Sequence, residues 1–441
     1  MNEYIVAIEL GSSKIVGVAG YRDENGKLVV AAIESMSASN IIIKRGFVQN
    51  VDDVYAQIHK IKMMLENRIA PAKITKVYVG VGGVSVTAED KVTKRSFHED
   101  SIIKQAHVQI LKEECRSKLP TNVDVLDIVS TGYIIDGRSE RNAIGATGTT
   151  IEAHYKAITA KPLLRKNIDR CIIERSKLPI AGYITSALAT ADVVLSKEER
   201  TLGCVLVDFG ADTTTVSVYK NDTLALLETL PMGGRNITRD IMSLKLLSTE
   251  AEQLKKSSGM AIGYKSENNE KLKFEGDNMV AIDLAKLSSV VEARSEEIVA
   301  NVEAQIKRSG YERKELTAGM IVVGGAAQLN GWIKLLEERL VDMKVRFGSL
   351  HKDILAVEKE RPRINDFIQA IAILNAGKED CTKTPVNSTV VERPAPEPEE
   401  EEEIIITPAT KEEKPKRRNI FSTLFDKFGK IIEEGEQDDE N

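Results

Sequence analysis

Two short segments each put an acid, a glycine and small hydroxyl residues at the end of an apolar run. Residues 4–18, YIVAIELGSSKIVGV, bring Glu9, Gly11, Ser12, Ser13 and Lys14 into one turn. Residues 205–219, VLVDFGADTTTVSVY, do the same with Asp208, Gly210, Ala211, Asp212 and Thr213. Phosphate groups need donors that approach closely with little side-chain bulk, which such turns supply through backbone N–H groups and hydroxyls. Lys14 adds a cation for phosphate charge, and Glu9 and Asp208 are carboxylates of the kind magnesium takes, usually through water. Each segment reads as strand, tight turn, strand. Either alone could be an ordinary surface hairpin. Two of one shape, about 200 residues apart, point to a duplicated core with a ligand between the copies.

Three further groups fit around that ligand. Gly233 and Gly234 follow the run 230–232, and Gly324, Gly325 and Ala326 follow the apolar strand 320–323. Glycines at strand ends let backbone approach a ligand, or simply make a turn. Glu252 and Lys255 stand three apart on a predicted helix, hence on one face. They could clasp a ribose or form a solvated ion pair. No residue stands out as a general base for an attacking water.

The elements that must hold these groups alternate in type. After the first hairpin come a strand at 28–35, a helix at 51–68 with Val54, Ile58, Ile61 and Leu65 on one face, and a buried strand at 77–82. A hairpin, rather than a helix, follows the first glycine turn, so the chain is not purely Rossmann-like. Residues 84–162 read as an inserted α+β module: a helix over 100–118, carrying Ile102, Ile103, Ala106, Ile110 and Leu111, and strands at 123–134 and 150–158. Helices are predicted at 163–178, 186–195, 238–259, 284–309, 332–340 and 367–374.

The bulk properties exclude several classes. The chain has 441 residues, 42% hydrophobic and 29% charged, which fits a soluble globular protein of two or more domains. A net charge of -6 makes no case for nucleic-acid binding. Cys115, Cys171, Cys204 and Cys381 are isolated, so neither a disulfide framework nor a zinc site is indicated, and a reducing cytoplasm fits. The N-terminus does not read as a signal peptide, and no apolar run approaches the roughly 20 residues that span a bilayer.

Composition changes at 381–415, where prolines surround the acid run 399–403; this is expected to be a disordered linker. Residues 416–434, KRRNIFSTLFDKFGKIIEE, regain pattern. Ile420, Phe421, Leu424, Phe425, Phe428, Ile431 and Ile432 form one stripe at helical period, with basic residues before and within it. The stripe could pack on the chain's own body or on a partner. Its phenylalanines, lysines and tether favour a helix lying in the surface of an anionic membrane. One such helix binds reversibly, so durable anchoring needs a second signal, which self-association supplies.

The segments ELGSSK, IAGYITSALATADVVLS, VDFGADTTTVSVY, IVVGGAAQLNG and FIQAIAILNAGK, in this order, resemble the phosphate, connecting and adenosine motifs of the actin/Hsp70/hexokinase superfamily. Within it, LPMGGRNITRDIMSLKLLSTEAEQLKKSSG, IGATGTTIEAHYKAIT and the terminal helix make the chain similar to the FtsA family of bacterial division proteins. The resemblance covers nearly the whole chain. It implies a two-lobed actin-like α/β fold with an inserted SHS2-type subdomain, called 1C, at 84–162. Subdomain 1A would take 1–83, 163–200 and 361–380; 2A would take 201–237 and 319–360; 2B would take 238–318. The linker 381–415 and the membrane helix 416–434 follow.

Carried onto this chain, the resemblance puts Gly11 to Lys14 and Gly210 to Thr213 on the phosphates of ATP. Gly324 to Ala326, with Glu252 and Lys255, would surround the adenosine, and Glu9 and Asp208 would face Mg²⁺. It further implies that the protein self-associates, binds the FtsZ C-terminal peptide on 2B, tethers FtsZ to the cytoplasmic face of the inner membrane at the septum, and recruits later division proteins through 1C. Ala211, Asp212 and Thr215 depart from the family's glycine-rich second phosphate loop, and Ala372 replaces a glycine usual in the last motif. These departures bear on hydrolysis, so at most a weak ATPase is expected. A small-molecule kinase of the same superfamily, an Hsp70-like chaperone and a pilus-assembly relative with a 1C-type insert are the alternatives. The chaperone lacks room for a peptide-binding domain, and the terminal helix argues against the other two.

Overall fold

The computed structural model describes residues 3–39, 41–263, 271–275 and 279–383. The membrane-helix reading of 416–434 and the linker from 384 onward lie outside the described residues.

Apolar runs, buried on consecutive residues in the central strands, build two sheets with one topology. In the first, β1 (Ile5–Leu10), β2 (Lys14–Arg22) and β3 (Leu28–Ser37) form an antiparallel meander. Helix α1 (Val51–Arg68) follows. The Asn50 side chain caps it by accepting from the amides of Asp52 and Asp53, and Val54, Ile58, Ile61 and Leu65 are its buried stripe. Strands β4 (Val77–Val81) and β5 (Ile180–Thr185) then join in parallel, giving the order β5-β4-β1-β2-β3 with a short strand Leu355–Ala356 at the far edge. Parallel pairing needs long crossovers, and α1 and the intervening segments supply them.

After α2 (Ser186–Val194) the pattern repeats. Strands β6 (Cys204–Phe209), β7 (Thr214–Lys220) and β8 (Thr223–Leu230) are an antiparallel meander. Helices α3 (Gly234–Ile241), α4 (Ser248–Ser258) and α5 (Leu284–Arg308) intervene. Strand β9 (Gly319–Val323), helix α6 (Trp332–Arg339) and strand β10 (Val345–Phe347) complete the order β8-β7-β6-β9-β10. Read from β10, this matches the first sheet strand for strand. The registers match too: Glu9 lies opposite Val16 on β2, and Asp208 opposite Thr215 on β7, each acid being one residue from its strand's end. Helix α7 (Ile368–Ala376) closes the first lobe against α2 and β1.

The insert forms its own antiparallel sheet from Thr87–Ile102, Asp124–Ile135, Arg138–Glu140 and Thr147–Ala160, with the helix Gln105–Ser117 packed on it. Ile151, Ala153, Tyr155 and Ala157, expected to alternate inward, are all buried in its core. Four expectations need correction. The insert's helix starts at Gln105 rather than at 100, because residues up to Ile102 continue a strand that pairs with Thr147 and its neighbours. Ile102 and Ile110 are 60% and 40% exposed instead of core. The helix expected over 238–259 is two helices, broken where Lys245 takes the left-handed region at φ 67. Residues 381–383, placed in the linker by composition, belong to the body: Thr382–Lys383 pairs with Lys73–Ile74, and Cys381 is buried.

Phe209, directly after Asp208, is fully buried and meets Trp332 of α6 edge to face, ring centroids 4.8 Å apart. This contact anchors the second acid turn to the helix beyond the glycine loop. Trp332→Ala should lower unfolding free energy by about 3–5 kcal/mol, read as a shift of the urea midpoint; a shift under about 1 kcal/mol would show that the ring does not anchor the turn.

Candidate functional site

The two acid turns open onto one cleft of about 1570 Å³ between the lobes. Gly11, Ser12, Ser13 and Lys14 line it from the first lobe, and Gly210, Ala211 and Thr213 from the second. Gly234, Glu252 and Lys255 line it too, as do Gly324, Gly325 and Ala326. Among the residues singled out in the sequence, Asp212 and Gly233 do not line it.

Glu9 and Asp208 form the floor. Burial pushes the Glu9 carboxyl up to about 7, with Lys14 pulling it down and Asp208 pushing it further up. Burial likewise raises Asp208 to about 6. Among the described residues neither carboxylate accepts a hydrogen bond or forms an ion pair. Gly324 makes room for one of them. Its φ is 93°, and a Cβ there would fall 2.3 Å from Asp208 Oδ1 and 2.4 Å from the Phe209 carbonyl. No cluster of three or more metal-ligating side chains occurs among the described residues. Two carboxylates that line one cleft and accept no hydrogen bond from a described residue suit Mg²⁺, which keeps several waters and takes one or two carboxylates.

The second acid turn, residues 208–213, is braced from behind. The Gly210 amide donates to the Thr213 carbonyl at 2.8 Å. The first amides of α3 then bind the loop's own carbonyls, Gly234 to Gly210 at 3.0 Å and Arg235 to Ala211 at 2.7 Å. These helix-terminal donors are therefore spent on the loop rather than aimed at a ligand. Gly233 is the hinge of this contact: a Cβ would stand 2.5 Å from the Gly210 carbonyl oxygen. Gly233 was expected to approach the ligand, and the structure places it at this loop contact rather than on the cleft lining. It permits the loop to dock.

Asp212 also differs from expectation. It is buried outside the cleft and accepts from Arg235 Nη1 at 2.8 Å and from the Arg45 amide at 3.4 Å. Lys14, on the cleft wall, donates to the Asp366 carbonyl at 3.1 Å, and its ammonium lies 4.1 Å from the Phe367 ring centroid. Glu252 and Lys255 meet each other at 2.6 Å. Lys255 Nζ also donates to Thr238 Oγ1 at 2.8 Å and to the Gly234 carbonyl at 3.1 Å, so all three of its protons are engaged. Burial acts to raise the Glu252 carboxyl, but hydrogen bonds from Lys255 and Thr238 outweigh it and hold the carboxyl below its usual range. The pair is thus an internal clasp on the cleft wall. Arg235 and Thr238 were not picked out from the sequence. The one signal for Arg235 was an arginine directly after a glycine pair, in a chain whose second acid turn carries an extra acid.

With this geometry in hand, comparison with known proteins is decisive at the family level. A family model described as "Cell division protein FtsA" matches residues 205–372. A cell division protein FtsA from Porphyromonas gingivalis is 31% identical over 386 residues, covering 87% of this chain and 80% of the relative. The chain belongs to the FtsA family. The FtsA of Bacillus subtilis is 27% identical over 348 residues, covering 77% of each. Among solved structures, a chain of a PilM–PilN type IV pilus biogenesis complex superposes with TM-score 0.60 at 13% identity, over 84% of this chain and 96% of that one. At that identity the likeness shows the fold, which is actin-like α/β. Among the described residues no helix is long and apolar enough to cross a membrane.

The raised acids carry a stability cost with a definite sign. A carboxyl whose folded pKa exceeds its unfolded value stabilises the fold only while protonated. For Glu9 that contribution is complete below about 4.5 and is lost as pH rises through about 7. In metal- and nucleotide-free buffer at about pH 8, Glu9→Gln should therefore be more stable than the parent by on the order of 2 kcal/mol, the gap vanishing near pH 4.5. Chemical denaturation across pH measures it, and a Glu9→Gln protein less stable than the parent at pH 8 would contradict it.

Proposed function

We propose that the cleft holds ATP with Mg²⁺ and that the chain is an actin-like division scaffold. The observation that carries this reading is the pair of matched acid turns opening onto one cleft in an FtsA-family chain. Gly11 to Lys14 and Gly210, Ala211 and Thr213 would surround the phosphates with amides, hydroxyls and one ammonium. Glu9 and Asp208 would hold Mg²⁺ through water, and that cation would offset phosphate charge. Gly324, Gly325 and Ala326 would admit the adenosine beside the Glu252–Lys255 clasp. No catalytic base is assigned, and any ATPase activity would be weak.

The scaffold would self-associate and tie FtsZ to the cytoplasmic face of the inner membrane at the septum. The FtsZ C-terminal peptide would dock on 2B, within 238–318. Later division proteins would be recruited through the insert 84–162, the position of 1C. The stripe from Ile420 to Ile432 would supply the membrane contact. Because one short helix binds reversibly, arraying subunits would make each further insertion intramolecular, with avidity gains on the order of 10²–10⁴. Membrane binding and assembly would then be coupled.

Co-sedimentation with anionic liposomes and FtsZ tests the proposal. The intact chain should bring FtsZ into the pellet, and Phe425→Glu should bring down neither. Recruitment should rise more steeply than a hyperbola with protein concentration. If FtsZ stays in solution with the intact chain, the scaffold role fails. Equal pelleting of Phe425→Glu removes the tail's role, and a plain hyperbola from a protein that remains monomeric on the membrane removes the coupling.

A further inference from the structure

Arg235 is tied to both phosphate loops. Its backbone amide binds the Ala211 carbonyl of the second loop at 2.7 Å. Its side chain reaches the first lobe, where Nη2 donates to the Ser12 carbonyl at 2.7 Å, while Nη1 pairs with Asp212 at 2.8 Å. Arg235 lines the cleft, whereas Asp212 does not and has only 9% of its side chain exposed. Asp212 is also held at its other oxygen by the Arg45 amide of the first lobe.

The charge balance of this arrangement bears on a phosphate ligand. Asp212 sits inside the loop that would meet the phosphates, two residues beyond Gly210 and next to Thr213. An unpaired carboxylate there would repel an anion, and the repulsion would grow with the anion's charge. Lys14 is already engaged with the Asp366 carbonyl and the Phe367 ring. The planar fork of an arginine can serve an acid and a carbonyl at once, which a lysine ammonium does less well.

We infer that Arg235 is a positioning residue that neutralises Asp212 and braces the two phosphate loops across the cleft, so that the pair sets how strongly the site discriminates by phosphate charge. The inference rests on the nucleotide reading above. It makes the extra acid of the second loop one half of a built pair, with its compensating cation 23 positions away.

Equilibrium binding of ATP, ADP and adenosine, each with Mg²⁺, to the full chain and its variants tests it. Arg235→Ala should weaken ATP about tenfold, ADP less, and adenosine hardly at all. Adding Asp212→Asn to that variant should restore ATP to within about threefold of the parent. Asp212→Asn alone frees the guanidinium toward the phosphates and should bind ATP more tightly than the parent, with adenosine unchanged. Arg235→Lys should keep most of the preference for ATP over adenosine. Equal losses for ATP and adenosine in Arg235→Ala, no recovery in the double variant, or weaker ATP binding by Asp212→Asn would each overturn the inference. The single variant Asp212→Asn keeps it falsifiable should Arg235→Ala fail to fold. If the parent binds none of the three ligands, the nucleotide reading itself is what fails.

Discussion

Two carboxylates turned toward the same buried space, with no hydrogen bond from a described residue, set the terms for this protein. Burial is the main cause that raises both, to about 7 for Glu9 and about 6 for Asp208, and the Asp208 charge pushes Glu9 further up against the pull of Lys14. Neighbouring features follow from keeping that pair open and precisely placed. Each acid sits one residue from the end of a central strand, so the sheet fixes its position. The turns after them are built from glycine and hydroxyl residues, and Gly324 is bare because any side chain would strike Asp208. A fold that retains two such groups accepts a local cost, which a cation bound between them would relieve.

The rest of the second acid turn is arranged to hold still. Its carbonyls take the first amides of α3, its aromatic neighbour Phe209 meets Trp332 edge to face, and its acid is clasped by Arg235. Rigid support of this kind is what a binding site needs if its donors are to be in place before the ligand comes. The first loop is held from the other side by Asp366, Phe367 and Arg235. The cleft is therefore flanked by two loops whose conformations are set by contacts outside it.

Much of this was legible in the sequence. The hairpins around Glu9 and Asp208, and the long amphipathic helices α1 and α5, follow from strong local patterns that tertiary packing does not override. The strand Thr87–Ile102 was not legible. Its charged, scarcely alternating sequence gives no period, and it forms because Thr147–Ala160 offers a partner some 60 positions away. The break at Lys245 was hidden because helical propensity on both sides is high and a left-handed residue leaves no mark when it is not glycine. Asp212 was misplaced for a similar reason. A carboxylate within a phosphate loop reads as a ligand or an obstacle, and only the fold shows that Arg235 and the Arg45 amide have claimed it. The likeness at TM-score 0.60 to a chain of a pilus complex shows how far fold alone goes, since function lives in sites grafted on folds. Here the family rests on the 31% identical relative, and the site on its own residues.

The account stands or falls on whether the acid-floored cleft takes a metal–nucleotide complex. The most direct measurement is calorimetric titration of the full chain with ATP, with and without Mg²⁺, beside a Glu9→Gln/Asp208→Asn double variant. The account predicts that the parent binds ATP about tenfold or more tightly with Mg²⁺ than without, and that the double variant loses this dependence on the metal. No binding of ATP to the parent, or binding indifferent to both Mg²⁺ and the two carboxylates, would contradict it.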